Sequence, residues 1–162
     1  MQPAPLVVSD QDPFLRDLVA QVASIHCADY FTSHIGTMQH EQRAVVSRFQ
    51  SALLVHLRGA FEGVDWKQEH CPNPATRDSI DIFGKGNVGV IAIELDKNRA
   101  DQVAKKFVSR MAVLPSTVPV YFLSVCYPGT DRMSKAECVK YFGYCKTLAL
   151  RMSSHYAGLI IQ

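Results

Sequence analysis

The 162-residue chain lacks several features that would assign it to a special class. No apolar run approaches the ~18 residues that are needed to cross a bilayer, so we expect no membrane association. The first residues show no basic segment followed by a long apolar stretch, so we expect no secretory signal and a cytoplasmic protein. Glycine (9) and proline (8) occur at ordinary frequency, which excludes collagen-like and low-complexity chains.

Several common site motifs are also missing. The five cysteines are odd in number and widely spaced, which indicates reduced thiols rather than a disulfide framework. The sequence contains no CxxC or HxxxH pair, so it gives no sign of a structural zinc site. The glycine-rich segment 84–89 opens no helix and lacks the Lys-Ser/Thr of a P-loop, so a hairpin turn explains it.

The composition that remains is that of one folded domain. Hydrophobic residues make up 48% of the chain and charged residues 20%. The net charge of +2 hides an asymmetry, because residues 1–96 carry −5 and residues 97–162 carry +7. This division suits a protein that gathers carboxylates in one place and offers cations to an anionic partner, although solvated helix faces give the same distribution.

Hydrophobic periodicity predicts the element order α-α-β-β-β-α-β-α, with a further strand at the end. The predicted helices span 12–26, 38–61, 98–114 and 134–154, and the predicted strands span 64–67, 79–83, 88–96, 118–126 and 158–161. This order implies an α/β fold with a mixed central sheet flanked by helices. We divide the single domain, 1–162, into an N-terminal helical extension (1–37), a core (38–126) and a C-terminal part with the last helix (127–162).

The strongest functional signal lies on the predicted hairpin. With Gly86 and Asn87 as a two-residue loop, Phe83 faces Val90 and Asp81 faces Ala92. Strand alternation then puts three acids on one face, namely Asp81, Glu94 and Asp96. A four-residue loop keeps this arrangement, whereas a three-residue loop without a bulge turns Asp81 to the opposite face.

Carboxylates brought this close repel one another unless a cation lies between them. Asp81 and Glu94 are predicted as diagonal neighbours, with Cα atoms about 7–8 Å apart. A hard divalent cation with oxygen ligands removes the conflict, so the pattern predicts a metal site. The alternative is that the three acids form the wet face of a half-exposed sheet. The otherwise apolar strand 88–95 argues against a fully solvated face.

Residues 80–107, IDIFGKGNVGVIAIELDKNRADQVAKKF, resemble the core of the PD-(D/E)XK, or restriction-endonuclease-like, nuclease superfamily. That core has an Asp on one hairpin strand, an acidic-x-Lys triplet ending the next, then an amphipathic helix and a strand. Asp81 matches the first acid and Glu94 the second, while Ile80 stands where the family often has Pro and Asp96 stands at the lysine position. The resemblance covers residues 38–126 and implies an αβββαβ core.

The resemblance also implies a reaction and a cofactor. The expected activity is Mg²⁺- or Mn²⁺-dependent hydrolysis of a nucleic-acid phosphodiester, with Asp81 and Glu94 as metal ligands and Asp96 as a further ligand or water-orienting group. Family members often add an acid from the preceding helix, and Glu41 is the matching candidate, although a solvated Glu in a first helical turn is an equal explanation.

A cation near the attacking water is usual in that family. Lys97 follows the triplet directly, and Lys106 lies on the next helix one turn after Gln102. We carry these three as candidate catalytic residues, with solvent-exposed side chains as the alternative explanation.

Substrate binding is expected to use the basic second half of the chain. Arg99, Lys105 and Arg110 are the candidate contacts to the phosphate backbone, most simply of DNA. A chain of this length leaves little room for a sequence-reading module, so sequence specificity would need a homodimer or a partner protein. The competing hypotheses are a nuclease-fold domain without catalysis that binds nucleic acid or protein, and an unrelated α/β protein with surface acids.

Overall fold

The strands and helices of the computed structural model belong to one α/β fold, described for residues 1–75, 78–97, 100–127 and 134–162. In chain order they are β1 (Pro3–Val8), α1 (Pro13–Ser24), α2 (Ala28–Phe31), α3 (Gln39–Ala60), β2 (Asp65–His70), β3 (Ile80–Gly86), β4 (Gly89–Asp96), α4 (Ala100–Val113), β5 (Val120–Cys126), α5 (Lys135–Arg151) and β6 (His155–Ile161). The six strands form one sheet in the order β1-β6-β5-β4-β3-β2.

The sheet is mixed, as the element order predicts. β2, β3 and β4 form an antiparallel meander. β4, β5 and β6 run parallel, and β1 closes the far edge antiparallel to β6. The parallel crossovers carry α4 and α5, so the expectation of a mixed sheet flanked by helices is confirmed.

Two hydrophobic cores lie on the two faces of the sheet. On one face, α1, α2 and α3 pack against Ile91, Ile93 and Leu95 of β4. On the other face, α4 and α5 pack against Ala92 of β4 and Phe122 of β5. Every residue of β4 and β5 is therefore buried, as in a central strand covered on both sides. Among the helices that the structure describes, none is long and apolar enough to cross a membrane.

The hairpin register differs from the predicted one by two residues. Gly86 pairs with Gly89, so the loop is Asn87 and Val88 rather than Gly86 and Asn87, and Phe83 faces Ala92 instead of Val90. Gly89 has a φ of +136°, and a Cβ there would meet the Pro119 carbonyl oxygen, so the turn needs glycine at this position. A shift of two preserves the faces of the strand.

The N-terminal helical extension, predicted as a helix at 12–26 followed by a loop, also contains a strand and a short helix that the sequence analysis does not predict. Residues 3–8 form β1, an edge strand of the sheet, and residues 28–31 form the one-turn helix α2. Pro3 and Pro5 hide the strand signal, because proline is tolerated only at strand edges and bulges, and β1 has a register irregularity after Pro5. The predicted cap at Asn98 lies outside the described residues.

Candidate active site

Three carboxylates meet where β3 and β4 lie side by side. Glu94 and Asp96 are on β4, and their side chains are 1% and 3% exposed. Asp81 is on β3, with 17% of its side chain exposed. Its Oδ2 accepts a hydrogen bond from the Leu95 backbone N–H at 2.6 Å, which ties the acid to the neighbouring strand.

The Lys106 ammonium joins all three acids. Lys106 Nζ lies 3.0 Å from Glu94 Oε2, 3.0 Å from Asp96 Oδ1 and 3.8 Å from Asp81 Oδ2. It also donates to the Leu95 carbonyl oxygen at 3.3 Å. α4 follows β4 and packs over it through Val103 and Phe107, so the helix carries Lys106 to the strand end.

The ionisation of the cluster reflects burial and like charge. Burial and then the Glu94 carboxylate raise the pKa of Asp81 to about 8. Burial raises the pKa of Asp96, although Lys106 opposes the shift. Burial disfavours the charged form of Lys106, but the carboxylates of Asp96, Glu94 and Asp81 outweigh it and raise the pKa of Lys106. The single positive charge of Lys106 therefore does not balance the charge of three ionised carboxylates.

A second cation, Arg110, supports Glu94. Its Nε lies 2.8 Å from Glu94 Oε1, and its Nη1 lies 2.7 Å from Asp78 Oδ1. The sequence predicts Arg110 as a phosphate-backbone contact, whereas the structure engages its guanidinium within the carboxylate cluster. Its spacing of four residues from Lys106 puts both cations on one face of α4, and this is the sequence signal that could have linked it to Glu94.

The described hydrogen bonds of Glu41 and Gln102 are made to residues outside this cluster. Glu41 is exposed and accepts from the Met38 backbone N–H at 2.8 Å, so it caps the start of α3. Gln102 donates to Asp101 at 3.3 Å. Lys105 is exposed on α4, and Arg99 lies outside the described residues.

A cleft of about 440 Å³ opens beside Asp81. One wall is a helical stripe on the first half of α3, formed by Gln39, Gln42, Arg43, Val46, Ser47 and Gln50. The other wall comes from the strands and from the residues that follow them, namely Gln68, Glu69, Asp81, Lys97 and Tyr127. Lys97 Nζ donates across the cleft to Gln42 Oε1 at 3.0 Å.

Sequence reasoning missed three residues of this wall, namely Gln68, Glu69 and Tyr127. Glu69 lies in β2 with a φ of 50°, and its carboxylate accepts from Gln50 at 2.9 Å and from Ser79 at 3.1 Å. The predicted strand ended at residue 67, so no signal marked this acid. Tyr127 follows β5 and stacks on Phe31, and burial raises its phenol pKa.

The donor set suits a hard cation in part. Mg²⁺ in proteins is commonly held by one or two carboxylates together with water and substrate phosphate, and Asp81 and Glu94 supply such a pair. Asp96 Oδ2 is buried and has no hydrogen-bond partner among the described residues. In that same part of the chain, however, no three His, Cys, Asp or Glu side chains are arranged to hold a metal ion.

Comparison with known proteins adds no relative to this picture. No protein-family model, curated protein or solved structure matches the chain. The site must therefore be interpreted from its own geometry.

Proposed function

We propose that the protein is a metal-dependent nuclease-type domain that hydrolyses phosphodiester bonds of DNA. The observation that carries this proposal is the contact of one ammonium, Lys106, with three carboxylates, one of which lines an open cleft. The resemblance of residues 80–107 to the PD-(D/E)XK core supports it, because two acids on a hairpin and a nearby cation are what that chemistry needs.

Each residue of the cluster has a distinct part in this proposal. Asp81 and Glu94 would hold Mg²⁺ or Mn²⁺, which supplies a nucleophilic water of lowered pKa and neutralises charge on the phosphate. Lys106 takes the role of the family lysine from α4, because Asp96 stands at the usual position. Asp96 anchors the ammonium, and Arg110 fixes the orientation of Glu94.

The test is cleavage of plasmid DNA with Mg²⁺ or Mn²⁺, together with calorimetry of metal binding. Glu94→Gln keeps the shape of the side chain and removes its charge, so we expect a loss of cleavage of at least about 100-fold and weaker metal uptake. The matched control is Glu62→Gln, which changes an exposed glutamate just after α3 and should leave both unchanged. Cleavage that survives Glu94→Gln contradicts the proposal.

A second candidate function is binding of nucleic acid without cleavage. Lys106 and Arg110 already neutralise part of the carboxylate charge, and the described residues offer no three-ligand metal group. Under this alternative, DNA binding is equal with Mg²⁺ and with a chelator, and no product forms. Metal-dependent product formation that Glu94→Gln abolishes eliminates it.

A further inference from the structure

We propose that the cleft between α3 and the sheet takes a single, unpaired DNA strand, so that the substrate is single-stranded rather than continuous duplex DNA. This inference rests on the proposed nuclease function and specifies its substrate.

The three carboxylates differ in how far solvent reaches them. Glu94 and Asp96 are 1% and 3% exposed, and Asp81 is the member of the three with an appreciable exposed fraction, 17%. Asp81 lines the cleft. A scissile phosphate that reaches the cluster by way of Asp81 must therefore enter between α3 and the strands.

The cleft has the size of one nucleotide. About 440 Å³ is within the range of pockets that take one small-molecule-sized ligand, which corresponds to a nucleotide unit of a strand. A volume of this size has no room for a base pair with its two backbones, since the major groove of B-DNA alone is about 12 Å wide. An unpaired strand can place one nucleotide in the cleft while the chain continues outside.

The side of α3 that faces the sheet changes character along the helix. In the second half of the helix the inward side chains of Leu53 and Leu57 are apolar and fully buried. In the first half the side facing the sheet becomes polar, with Gln39, Gln42, Arg43 and Ser47 lining the cleft. Polar side chains between a helix and its sheet do not pack into a dry core. The space beside them is open to water and can hold a polar ligand.

The polar groups match the parts of a nucleotide strand. Amide side chains both donate and accept, as base edges require, and a guanidinium can pair with phosphate or stack on an unpaired base. Arg43 is exposed at the cleft. Lys97 bonds to Gln42 Oε1 at 3.0 Å, so an entering phosphate oxygen can replace the amide without leaving the ammonium unpaired.

The deciding experiment uses two circular DNAs without ends, one single-stranded and one covalently closed, relaxed duplex, each with Mn²⁺. We expect the single-stranded circle to be cut at least about ten-fold faster, as expected for about 1.4 kcal/mol of discrimination. Equal or faster cutting of the duplex overturns the inference while leaving the nuclease proposal standing. Cleavage of neither circle overturns the nuclease proposal, and the strand preference is then judged by binding.

Binding is measured in chelator with a labelled oligodeoxynucleotide as a single strand and as a hairpin duplex. Tighter binding of the single strand supports the inference, and equal or weaker binding overturns it. Arg43→Ala should weaken single-strand binding about three- to ten-fold. Arg48→Ala is the matched control, because Arg48 is equally exposed on α3 but outside the cleft. Equal losses in both variants, or a loss in neither, place the strand elsewhere and overturn the inference.

Discussion

At the scale of single residues, the molecule has to keep three acids together in a poorly solvated place. Lys106 contacts all three, and Arg110 contacts Glu94, yet burial and like charge still raise the pKa of Asp81 to about 8. Removing water from carboxylates costs free energy unless each one is paired. The remaining shortage of positive charge can be met by a proton on Asp81 or by a bound cation.

The raised pKa of Asp81 makes the stability of the metal-free protein depend on pH. The unfolded chain releases this proton near 3.8, while the folded protein keeps it up to about 8. Its contribution to stability is thus fully present below pH 3.8 and is lost as pH rises to about 8, with a limiting slope of about 1.4 kcal/mol per pH unit. In chelator, Asp81→Asn should gain stability over the wild type across this window, by more than about 1 kcal/mol at the upper end.

Urea unfolding at several pH values measures this difference. The control Asp17→Asn changes an exposed residue of α1 and should stay within about 0.5 kcal/mol of the wild type at every pH. If Asp81→Asn instead loses stability as the pH rises, the carboxylate is ionised and paired in the native state.

At the scale of elements, two packing contacts decide where the site residues lie. α4 crosses β4 with Val103 and Phe107 in the core, which brings Lys106 and Arg110 over the strand end. α5 lies against β6, where a Cβ on Gly158 would meet the ring of Phe142. The glycine is therefore explained by close approach of helix and strand and not by backbone conformation.

This close approach can be tested with two glycine substitutions. Gly158→Ala should destabilise the protein by about 1–3 kcal/mol, because the added methyl group overpacks the contact with Phe142. Gly143→Ala lies within α5 with nothing within 4 Å of the added Cβ, so it should stabilise by about 0.5–1 kcal/mol. Urea unfolding compares the two, and a Gly158→Ala variant as stable as the wild type would show that α5 is farther from β6.

At the scale of the whole molecule, charge is divided between the two parts of the chain, −5 before residue 97 and +7 after it. Folding does not keep these parts separate. Lys106 and Arg110 of the basic part pair with Asp81, Glu94 and Asp78 of the acidic part. Two of the cations that the sequence analysis considers for a nucleic-acid partner are thus paired within the carboxylate cluster. Arg43, from the acidic part of the chain, is a cation that lines the cleft.

Salt dependence reports how many cations contact the strand. Two contacts, from Arg43 and Lys97, predict that the logarithm of the single-strand binding constant falls with the logarithm of salt at a slope of about −1.4. Arg43→Ala should reduce the steepness by about 0.7, whereas Arg48→Ala should leave it unchanged. Titrations by fluorescence anisotropy over a salt series measure the slope. A slope insensitive to Arg43→Ala indicates that other cations, such as Lys105, make the contacts.

Local patterns predict the regular elements of this chain well. The period of the apolar residues marks α1 and α3 within about two residues of their bounds, and Asp12 and Ser134 accept the cap hydrogen bonds expected of them, from Leu15 and Glu137. Strand alternation places Ile91, Ile93 and Leu95 in one core. These features depend on neighbouring residues, so the sequence contains their cause.

The site depends on contacts between distant residues. Alternation predicts Asp81, Glu94 and Asp96 on one face. The observed register of the hairpin brings Gly89 against the Pro119 carbonyl, a contact that no local pattern indicates. The packing of α4 on β4 determines that Lys106 and Arg110, and not Lys97, contact the carboxylates. The position of α3 over the sheet forms the cleft. The sequence determines which charged side chains are present and which strand face they occupy. The distance between two of these charges is determined only when the helices and strands that carry them pack together.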